Sequence, residues 1–516
     1  MTAPAPLLPP PAERLTAWGR LRDRLLREPE WNRIIRWFAP LVVTALAAVL
    51  RLANLGHPHE LMFDETYYVK DAWSLWTLGY EGSWGDGANE AFPSGDTSAL
   101  DSTGSFVVHP PLGKWIIALG MGLFGSGSSE AWRLTTALLG AATVLVVYLV
   151  ARALTGSIVA ATIAGLLLAI DGLSIVMSRI ALLDGALTFF ILLGFLFILY
   201  DRTRSMRRAE YVDADDRERL WGRIFWRRPW VIAAGVALGA ASAVKWSGLY
   251  ALAGLGLYLV VTDALARRRA GIAFWPMDAV ARQGSVSFLL LVPAALVTYL
   301  VTWSGWLVTA GGYDRQSDAN PLIALWKYHQ SMYGFHIGLT TGHPYASPAW
   351  QWPLLIRPTA VWVGDDASCG TDHCISVISS VPNPLIWYAG VAAALFLLYR
   401  FVRGLIQGRP VSWTQLVPLV GLAVTYVPWL MIPSRTIFQF YTVTMMPFLV
   451  LALVFALREI AGRRTDPLER RQAGERTVFV FLVITLLVSA FFYPVWTGMN
   501  VPYEFWLVHN WIPTWV

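Results

Sequence analysis

The chain has few charged residues, which make up only 14% of its 516 residues, whereas 56% are hydrophobic. An ordinary soluble domain carries roughly 25% charged residues. This shortage excludes a disordered chain, a fibrous protein and a soluble multidomain enzyme. Apolar runs of about 20 residues, the length that crosses a bilayer, recur between residues 40 and 496. The sequence therefore predicts an all-α polytopic membrane protein. In such a protein the net charge of +6 indicates topology first, and no nucleic-acid partner is expected.

Cysteine is scarce as well, because Cys369 and Cys374 are the only two. They are either two unrelated thiols or, if their loop lies outside the cell, a small disulfide loop. A metal site would need more ligands than the neighbouring Asp372 and His373 provide. No cleavable signal peptide is expected either, because no apolar core with a small-residue cleavage site follows the Pro/Ala-rich residues 1–11.

The apolar runs predict eleven membrane-spanning helices. They cover about 38–55, 131–150, 158–176, 180–200, 230–246, 247–262, 284–306, 383–399, 413–431, 437–457 and 477–496. An odd number of spans places the two ends of the chain on opposite sides of the membrane.

The basic residues orient these helices. Arg152 and five segments on one side hold 30 of the 40 Lys and Arg residues: 11–37, 201–229, 262–283, 400–410 and 458–476. That side is expected to be the cytoplasm, with the N-terminus inside and the C-terminus outside. Residues 56–112, with nine acidic residues and one Lys, are expected outside, as are residues 307–382.

Residues 109–124 test this topology. Their uninterrupted apolar part is only about ten residues, too short to cross a bilayer. Counting them as a span would also place the Arg-rich segment 201–229 outside. They are therefore expected to form a helix that lies in, or dips into, the outer interface.

The ten remaining basic residues oppose the positive-inside rule, and five of them fall at the outer ends of helices: Arg51, Arg133, Arg179, Lys245 and Arg435. Each alone could extend its charge to the interface. Five at one depth favour an anionic ligand at the outer surface, and a lipid phosphate fits best. Asp184, five residues after Arg179, is the obvious ion-pair partner for that arginine.

The first outer loop offers a candidate catalytic base. In Phe63-Asp64-Glu65-Thr-Tyr-Tyr-Val-Lys-Asp-Ala-Trp73, aromatic and charged residues alternate with helical spacing, as in a helix on a membrane surface. Asp64 and Glu65 point about 100° apart on such a helix and should have different roles. One could face the site as a general base while the other orients it or takes a cation. A divalent cation, Mg²⁺ or Mn²⁺, is compatible with the pair, but no full ligand set is defined.

A carboxylate and a cluster of cations on one side of the membrane suit glycosyl transfer from a polyprenyl phosphate sugar. The leaving phosphate needs cations, and the attacking hydroxyl needs a base. No glycine-rich phosphate motif is evident. A lipid or glycan acceptor would use the same groups. A transporter or flippase would instead predict mid-membrane charges and internal repeats, which the sequence does not show.

Several motifs, in order, resemble the protein O-mannosyltransferases, particularly those of actinobacteria. They are Phe63-Asp64-Glu65, His109-Pro-Pro-Leu-Gly-Lys114, Trp132-Arg133-Leu134, Ser178-Arg179-Ile-Ala-Leu-Leu-Asp184, Val244-Lys245-Trp246-Ser-Gly, His343-Pro-Tyr-Ala-Ser-Pro-Ala-Trp-Gln-Trp-Pro353 and residues 435–441. The similarity runs from about residue 40 to residue 500. The joint order of the motifs is more specific than any one of them.

The resemblance implies a GT-C glycosyltransferase fold with eleven spans. It implies inverting transfer of mannose from polyprenyl-phosphate mannose to Ser/Thr hydroxyls of proteins that emerge from the Sec translocon, at the outer face of the bacterial plasma membrane. The family's acidic pair corresponds to Asp64, expected to be the base, and Glu65, expected to support the site. The family's important arginine corresponds to Arg133.

The remaining site residues are assigned to the donor or to the acceptor. Contacts to the donor phosphate or sugar are expected from Arg133, Arg179, Lys245, Arg435, His109 and Lys114. For His109 and Lys114, which flank two prolines, a rigid turn is the alternative. Acceptor contacts are expected from His343 and Tyr345.

Residues 1–37 are expected to form a cytoplasmic tail and residues 38–516 the membrane catalytic domain. That domain includes a first outer loop with interfacial helices, 56–130, and a second outer loop, 307–382. Eukaryotic members of the family carry a soluble β-trefoil domain in the second loop, and residues 307–382 are too short for one. The two outer loops are therefore expected to form the acceptor groove themselves.

Overall fold

A computed structural model describes residues 29–209, 220–364, 368–409, 411–463 and 465–516. Most of the expected cytoplasmic tail, residues 1–28, and part of the Arg-rich segment 201–229 lie outside the described residues. Within the described ranges the chain is mainly helical, and short strands occur only in the two outer loops and after the last long helix.

The helices differ in length and in the length of the segments that connect them. In chain order they are α1 (Pro29–Leu52), α2 (Glu65–Leu78), α3 (Ala88–Ala91), α4 (Leu112–Phe124), α5 (Ser129–Thr155), α6 (Ile158–Ala169), α7 (Gly172–Arg179), α8 (Leu183–Ala209), α9 (Pro229–Val244), α10 (Gly248–Arg269), α11 (Trp275–Met277), α12 (Ser285–Thr302), α13 (Ser304–Val308), α14 (Pro321–Gly338), α15 (Pro384–Ile406), α16 (Trp413–Leu430), α17 (Met446–Ala461), α18 (Leu468–Thr497) and α19 (Tyr503–Leu507). A π-helical turn, Asp278–Gly284, joins α11 to α12.

The described residues contain eight helices long and apolar enough to cross a membrane, or nine if the pair α6 and α7, bent by 59°, counts as one span. The chain is thus a multi-pass membrane protein. Each of the eleven predicted spans overlaps at least one helix, but the span predicted at 158–176 covers the bent pair α6 and α7, and α9 and α17 have only 16 residues each. The count of eleven therefore stays a prediction. The short apolar segment predicted at 109–124 forms α4, a helix of 13 residues.

The core is built around α5 to α9, whose side chains are mostly buried. Small residues let these helices approach closely. A Cβ at Gly235 would lie 2.4 Å from the carbonyl oxygen of Leu291, and one at Gly239 would lie 2.4 Å from that of Ala295. Alanine at either position would push α9 away from α12. The chain then breaks at Lys245, directly after α9.

The two outer loops form a layer over one end of the bundle. In the first loop, β1 (Gly82–Trp84) pairs antiparallel with β2 (Leu100–Gly104). In the second, β3 (Ala360–Gly364) and β4 (Cys374–Ser379) are joined by β5 (Val501–Pro502) from beyond α18. Helix α14, in the second loop, buries one of its own faces, with Leu325 and Tyr328, and exposes an apolar stripe with Leu322, Trp326 and Tyr333. The helices predicted in the first loop are present.

Trp515 anchors the residues after α18 to the second outer loop. Its side chain is only 6% exposed, and its Nε1 donates to the carbonyl oxygen of Leu355 at 2.6 Å. Next to it, Arg357 donates to the carbonyl oxygen of Thr514 at 2.7 Å. The last described segment is therefore part of the outer layer.

We expect Trp515→Ala to lower the free energy of unfolding by about 3–5 kcal/mol, because it removes a buried aromatic side chain and a hydrogen bond. Titration of the purified protein with a denaturing detergent measures this change. Trp350→Ala is the matched control, since Trp350 in the same outer layer is 63% exposed and should cost little. An equal loss for the two variants would contradict the anchoring role.

Candidate active site

Asp64 and Glu65 stand at the start of α2. Phe63, directly before them, has a φ of 51°, a left-handed conformation that is uncommon for a non-glycine residue. Its ring packs edge-to-face on Phe440, with ring centroids 5.6 Å apart. Such backbone strain persists only when the surrounding structure enforces it, and it concentrates at functional sites. The chain therefore turns sharply just before the acidic pair.

Glu65 is fully buried, and its carboxylate is hydrogen-bonded to separate parts of the chain. Its carboxylate accepts two hydrogen bonds from Arg133, from Nε at 2.9 Å and from Nη2 at 2.8 Å. It also accepts from the backbone N–H of Ala181 at 2.8 Å and of Met62 at 3.2 Å. These four bonds join the first outer loop to α5 and to the turn between α7 and α8. All the hydrogen bonds of the Glu65 carboxylate thus go to the protein itself, a geometry that favours positioning of the loop.

Arg133 completes that anchor. Its remaining donors go to the carbonyl oxygens of Leu55, Pro58 and Glu60, at 3.4, 2.7 and 2.9 Å. The side chain is fully buried. With every guanidinium donor occupied by the protein, this geometry favours positioning of the loop. The expected direct contact with a donor phosphate stays a prediction.

The surroundings of the Asp64 carboxylate differ from those of Glu65. Among the described residues nothing donates a hydrogen bond or forms an ion pair with its carboxylate. Burial raises its pKa from 3.8 to about 6; Lys245 lowers it and Asp184 raises it. A carboxylate that is partly shielded from water, unpaired and ionised at neutral pH is suited to accept a proton.

Lys245 lies at the break between α9 and α10 and binds Asp184, with Nζ 3.0 and 2.9 Å from the two carboxylate oxygens. The ring of Tyr441 lies 4.4 Å from the same Nζ. The expected pairing of Asp184 with Arg179 is wrong, because the break in the helix brings Lys245 to Asp184 instead. A small cavity lined by Asp184, Ser247 and Tyr441, among others, continues from here between α8, α10 and α16.

Arg179 and Arg51 cap helices. Arg179 donates to the carbonyl oxygens of Arg51, Ala53 and Asn54, at 3.0, 2.7 and 2.9 Å, at the end of α1. Arg51 donates in turn to the carbonyl oxygens of Leu168 and Ala169, at the end of α6. Both side chains satisfy carbonyls that no helical N–H reaches. A donor contact by Arg179 stays a prediction, and the geometry favours a structural role.

His109 and Lys114 flank the start of α4. Lys114 pairs with Glu81 and donates to the carbonyl oxygen of His109 at 3.2 Å. The imidazole of His109 is buried, and its Nδ1 has no hydrogen-bond partner within the described residues. Burial, with nearby Lys245, lowers its pKa well below 6.5, so the ring is neutral at pH 7. His109 is thus available to a ligand, whereas Lys114 is engaged.

Arg435 makes the fewest hydrogen bonds of the four arginines predicted at the outer ends of helices. Its Nη2 donates to Nδ1 of His336 at 3.1 Å, and its guanidinium lies 5.7 Å from the Trp429 ring centroid. Its buried Nε has no partner, and no carboxylate pairs with it in the part of the chain that the structure describes. Arg435 therefore retains its full positive charge for an anion.

The predicted acceptor residues lie beside this cluster. His343 is exposed and packs edge-to-face on Phe438, 5.0 Å between ring centroids. Phe438 in turn lies 6.2 Å from the ring of Phe63. Tyr345 lies under the guanidinium of Arg357, 5.1 Å from its ring centroid. An aromatic surface thus leads from His343 to the residue before Asp64.

The two cysteines and a metal ion remain from the sequence-based predictions. Cys369 and Cys374 form a disulfide beside β4. For a metal ion, the described residues offer no group of three or more His, Cys, Asp or Glu side chains close enough to bind one.

Three residues beside the predicted site residues were not predicted from the sequence. His336 accepts a hydrogen bond from Arg435, and the ring of Tyr441 covers Lys245. Tyr68, one helical turn after Asp64, faces His109 with 6.1 Å between ring centroids. The seven-residue spacing of His329 and His336, which places both on one helical face, was the available signal for His336.

Comparison with known proteins gives consistent results over the whole chain. The sequence profile of the dolichyl-phosphate-mannose-protein mannosyltransferases matches residues 126–309. The profile of the C-terminal four-transmembrane region of protein O-mannosyltransferases matches residues 322–515.

Individual relatives agree with the profiles. The polyprenol-phosphate-mannose–protein mannosyltransferase of Mycolicibacterium smegmatis is 32% identical over 100% of this chain and 97% of its own length. That of Mycobacterium tuberculosis is 32% identical over 94% of this chain and 92% of its own. The solved protein O-mannosyltransferase Pmt1-Pmt2 complex of S. cerevisiae, bound to the sugar donor, superposes with a TM-score of 0.73. It is 16% identical and covers 93% of this chain and 92% of that one. The predicted GT-C fold is confirmed.

Proposed function

Because the chain belongs to the dolichyl-phosphate-mannose–protein mannosyltransferase family, we propose that Asp64 is the general base of a mannosyl transfer. The enzyme transfers mannose from a polyprenyl-phosphate mannose to protein hydroxyls. The acceptors are Ser and Thr side chains, and the anomeric carbon is inverted. The observation that carries the proposal is the partly desolvated carboxylate of Asp64, which lies near Lys245 and has no hydrogen-bond or ion-pair partner among the described residues.

The reaction exchanges one bond at the anomeric carbon. The acceptor oxygen bonds to C1 of mannose while the bond from C1 to the phosphate oxygen breaks. The hydroxyl proton passes to the Asp64 carboxylate, and the bonding electrons leave with the polyprenyl phosphate. An uncharged hydroxyl is a weak nucleophile, so a base held close to it contributes about 10²–10⁴-fold to the rate.

The leaving phosphate gains negative charge and needs cations in fixed positions. Arg435 supplies a positive charge that no carboxylate cancels. Lys245 is held by Asp184, and the neutral ring of His109 can donate a hydrogen bond. Arg133 with Glu65, and Arg179, hold the backbone that carries Asp64. Hydroxyl-bearing side chains of the acceptor lie along the aromatic surface that includes His343.

The charge distribution supports a location for this chemistry. Thirty of 40 basic residues fall on the side opposite the outer loops, so the site faces outward across the plasma membrane and residues 1–37 face the cytoplasm. Residues 38–516 form the catalytic domain. Acceptors that emerge unfolded from the Sec translocon would reach such a site directly.

The proposal is tested by incubating the purified protein in detergent with labelled polyprenyl-phosphate mannose and a Ser/Thr/Pro-rich peptide. Mannosylated peptide is the expected product. Label that moves to lipid or glycan, with none on the peptide, would reassign the acceptor. If binding of the lipid donor to the protein cannot be measured, the proposed function is wrong.

The pH dependence of the reaction follows from Asp64. Its pKa is raised to about 6, so the base is protonated and inactive below that value. We expect kcat/KM to rise about tenfold per pH unit up to pH 6 and then to level off. The donor is a phosphate diester and stays ionised throughout this range. A profile that is flat from pH 4.5 to 7.5 would contradict the assignment of the base.

A further inference from the structure

His336 lies where separate parts of the chain meet. It belongs to α14 in the second outer loop, and its ring stacks on His109 of the first loop with 5.4 Å between centroids. The ring of Trp246, in the break between α9 and α10, has its centroid 5.5 Å from that of the His336 ring. Arg435, from the segment between α16 and α17, donates to it. No other histidine of the described residues contacts an arginine of the predicted donor site.

The two ring nitrogens of His336 have different partners. Nε2 lies 2.8 Å from the carbonyl oxygen of Val108, which can only accept a hydrogen bond, so this nitrogen carries the proton. Nδ1 lies 3.1 Å from Nη2 of Arg435, which can only donate, so this nitrogen must offer its lone pair. Only the neutral ring with the proton on Nε2 satisfies both contacts.

The surroundings stabilise that neutral form. Burial lowers the pKa of His336 to about 4, and the charges of Arg435 and Lys245 act in the same direction. His109, whose ring stacks on that of His336, is neutral as well. His336 therefore accepts from Arg435 at any pH at which the enzyme would work.

A neutral acceptor differs in effect from the carboxylates bound to three of the other cations. Glu65, Glu81 and Asp184 orient Arg133, Lys114 and Lys245, but each also cancels its partner's charge. His336 orients the Arg435 guanidinium and leaves the charge intact. The Arg435 guanidinium has no other hydrogen-bond acceptor within the described residues, so without His336 no hydrogen bond would fix its orientation.

We propose that His336 is the positioning residue for Arg435 and thereby sets the affinity of the site for the phosphate of the lipid donor. The proposal rests on the proposed function for the identity of the lipid. It assigns to the second outer loop a role in binding the donor, in addition to the acceptor role expected from His343 and Tyr345.

The test measures binding of a polyprenyl phosphate, without sugar, to the full-length protein in detergent micelles. His336→Phe keeps a ring against His109 and Trp246 but removes both hydrogen bonds. We expect binding about ten- to a hundredfold weaker, the usual loss when a hydrogen bond to a charged group is removed. His329→Phe is the matched control, because His329 lies on the same face of α14 and stacks on Trp246 at 5.7 Å but binds Tyr299.

Two amide variants separate the contacts of His336 and also serve if the phenylalanine variant does not fold. The oxygen of His336→Asn can replace Nδ1 and keep Arg435 in place, so binding should stay near the wild-type value. The nitrogen of His336→Gln can replace only Nε2, so binding should weaken as with phenylalanine. The reverse order would show that the contact with Val108 matters instead and would overturn the proposal.

A double-mutant cycle completes the test. In an Arg435→Gln background, His336→Phe should cause no further loss of binding, because its effect passes through the arginine. Additive losses, or an equal loss from His329→Phe, would show a general effect on the fold and would overturn the proposal. If the wild type binds the lipid but transfers no mannose, the proposed function fails while the binding series still decides the role of His336.

Discussion

Asp64→Asn should abolish mannosyl transfer, with kcat reduced by roughly 10²–10⁴-fold, while the affinity for the lipid donor stays close to that of the wild type. The amide has the shape of the carboxylate but cannot take the hydroxyl proton. Because no described residue donates to the Asp64 carboxylate, the substitution breaks no hydrogen bond or ion pair among the described residues. Single-turnover transfer to a peptide, with donor binding measured in parallel, checks this expectation.

The stability of the same variant distinguishes loss of catalysis from loss of the fold. The pKa of Asp64 is higher in the folded protein, about 6 against 3.8, so folding favours its protonated form. The ionised carboxylate therefore destabilises the folded state above pH 6, and the neutral amide should be at least as stable as wild type at pH 7. Asp71→Asn is the control, since Asp71 lies seven residues further along α2 and should retain activity. An active Asp64→Asn enzyme would refute the assignment.

Glu65→Gln should unfold far more readily than wild type, with roughly 3–5 kcal/mol lost, because it leaves the fully buried Arg133 without its counter-charge. The same loss is expected for Arg133→Gln. The double variant should lose less than the sum of the two, since each removes the same interaction. Titration with a denaturing detergent measures these free energies of unfolding.

A partly exposed ion pair provides the comparison. Arg400 donates to Glu459 at 2.8 Å, nearly the same distance, but these side chains are 29% and 32% exposed. Glu459→Gln should cost less than about 1 kcal/mol. If Glu65→Gln were as stable as wild type but inactive, the carboxylate of Glu65 would act on the substrate rather than hold the loop.

Much of this arrangement could be predicted from the sequence. The apolar runs predicted the multi-pass helical architecture, because a bilayer fixes both length and composition, but several helix ends differ by about nine residues from the predicted ones. The acidic pair was found from its aromatic neighbours, and the different roles of Asp64 and Glu65 follow from the 100° between adjacent helical residues. Which of them faces the substrate depends on Arg133, 68 residues away, and on the N–H of Ala181.

The cations were harder to interpret. Sequence position placed five of them at one depth, but it could not show which had partners. Arg51 and Arg179 bind carbonyl groups at helix ends, a role that leaves no trace in the residue types nearby. Lys245 reaches Asp184 only because α9 ends directly before it. Long-range pairing of this kind is set by tertiary packing, so one sequence could not reveal it.

The unequal burial of the two neighbouring carboxylates has a consequence for the comparison of distant sequences. A chain with Glu at position 64 and Asp at position 65 would have the same charge, composition and hydropathy. Yet aspartate at position 65, shorter by one methylene, would fall short of Arg133, and glutamate at position 64 would shift the carboxylate proposed as the base by about the length of one methylene. Exchanging Asp64 and Glu65 should thus impair the enzyme as much as removing one of the two carboxylates. Similarity scores that treat Asp and Glu as interchangeable would miss the change.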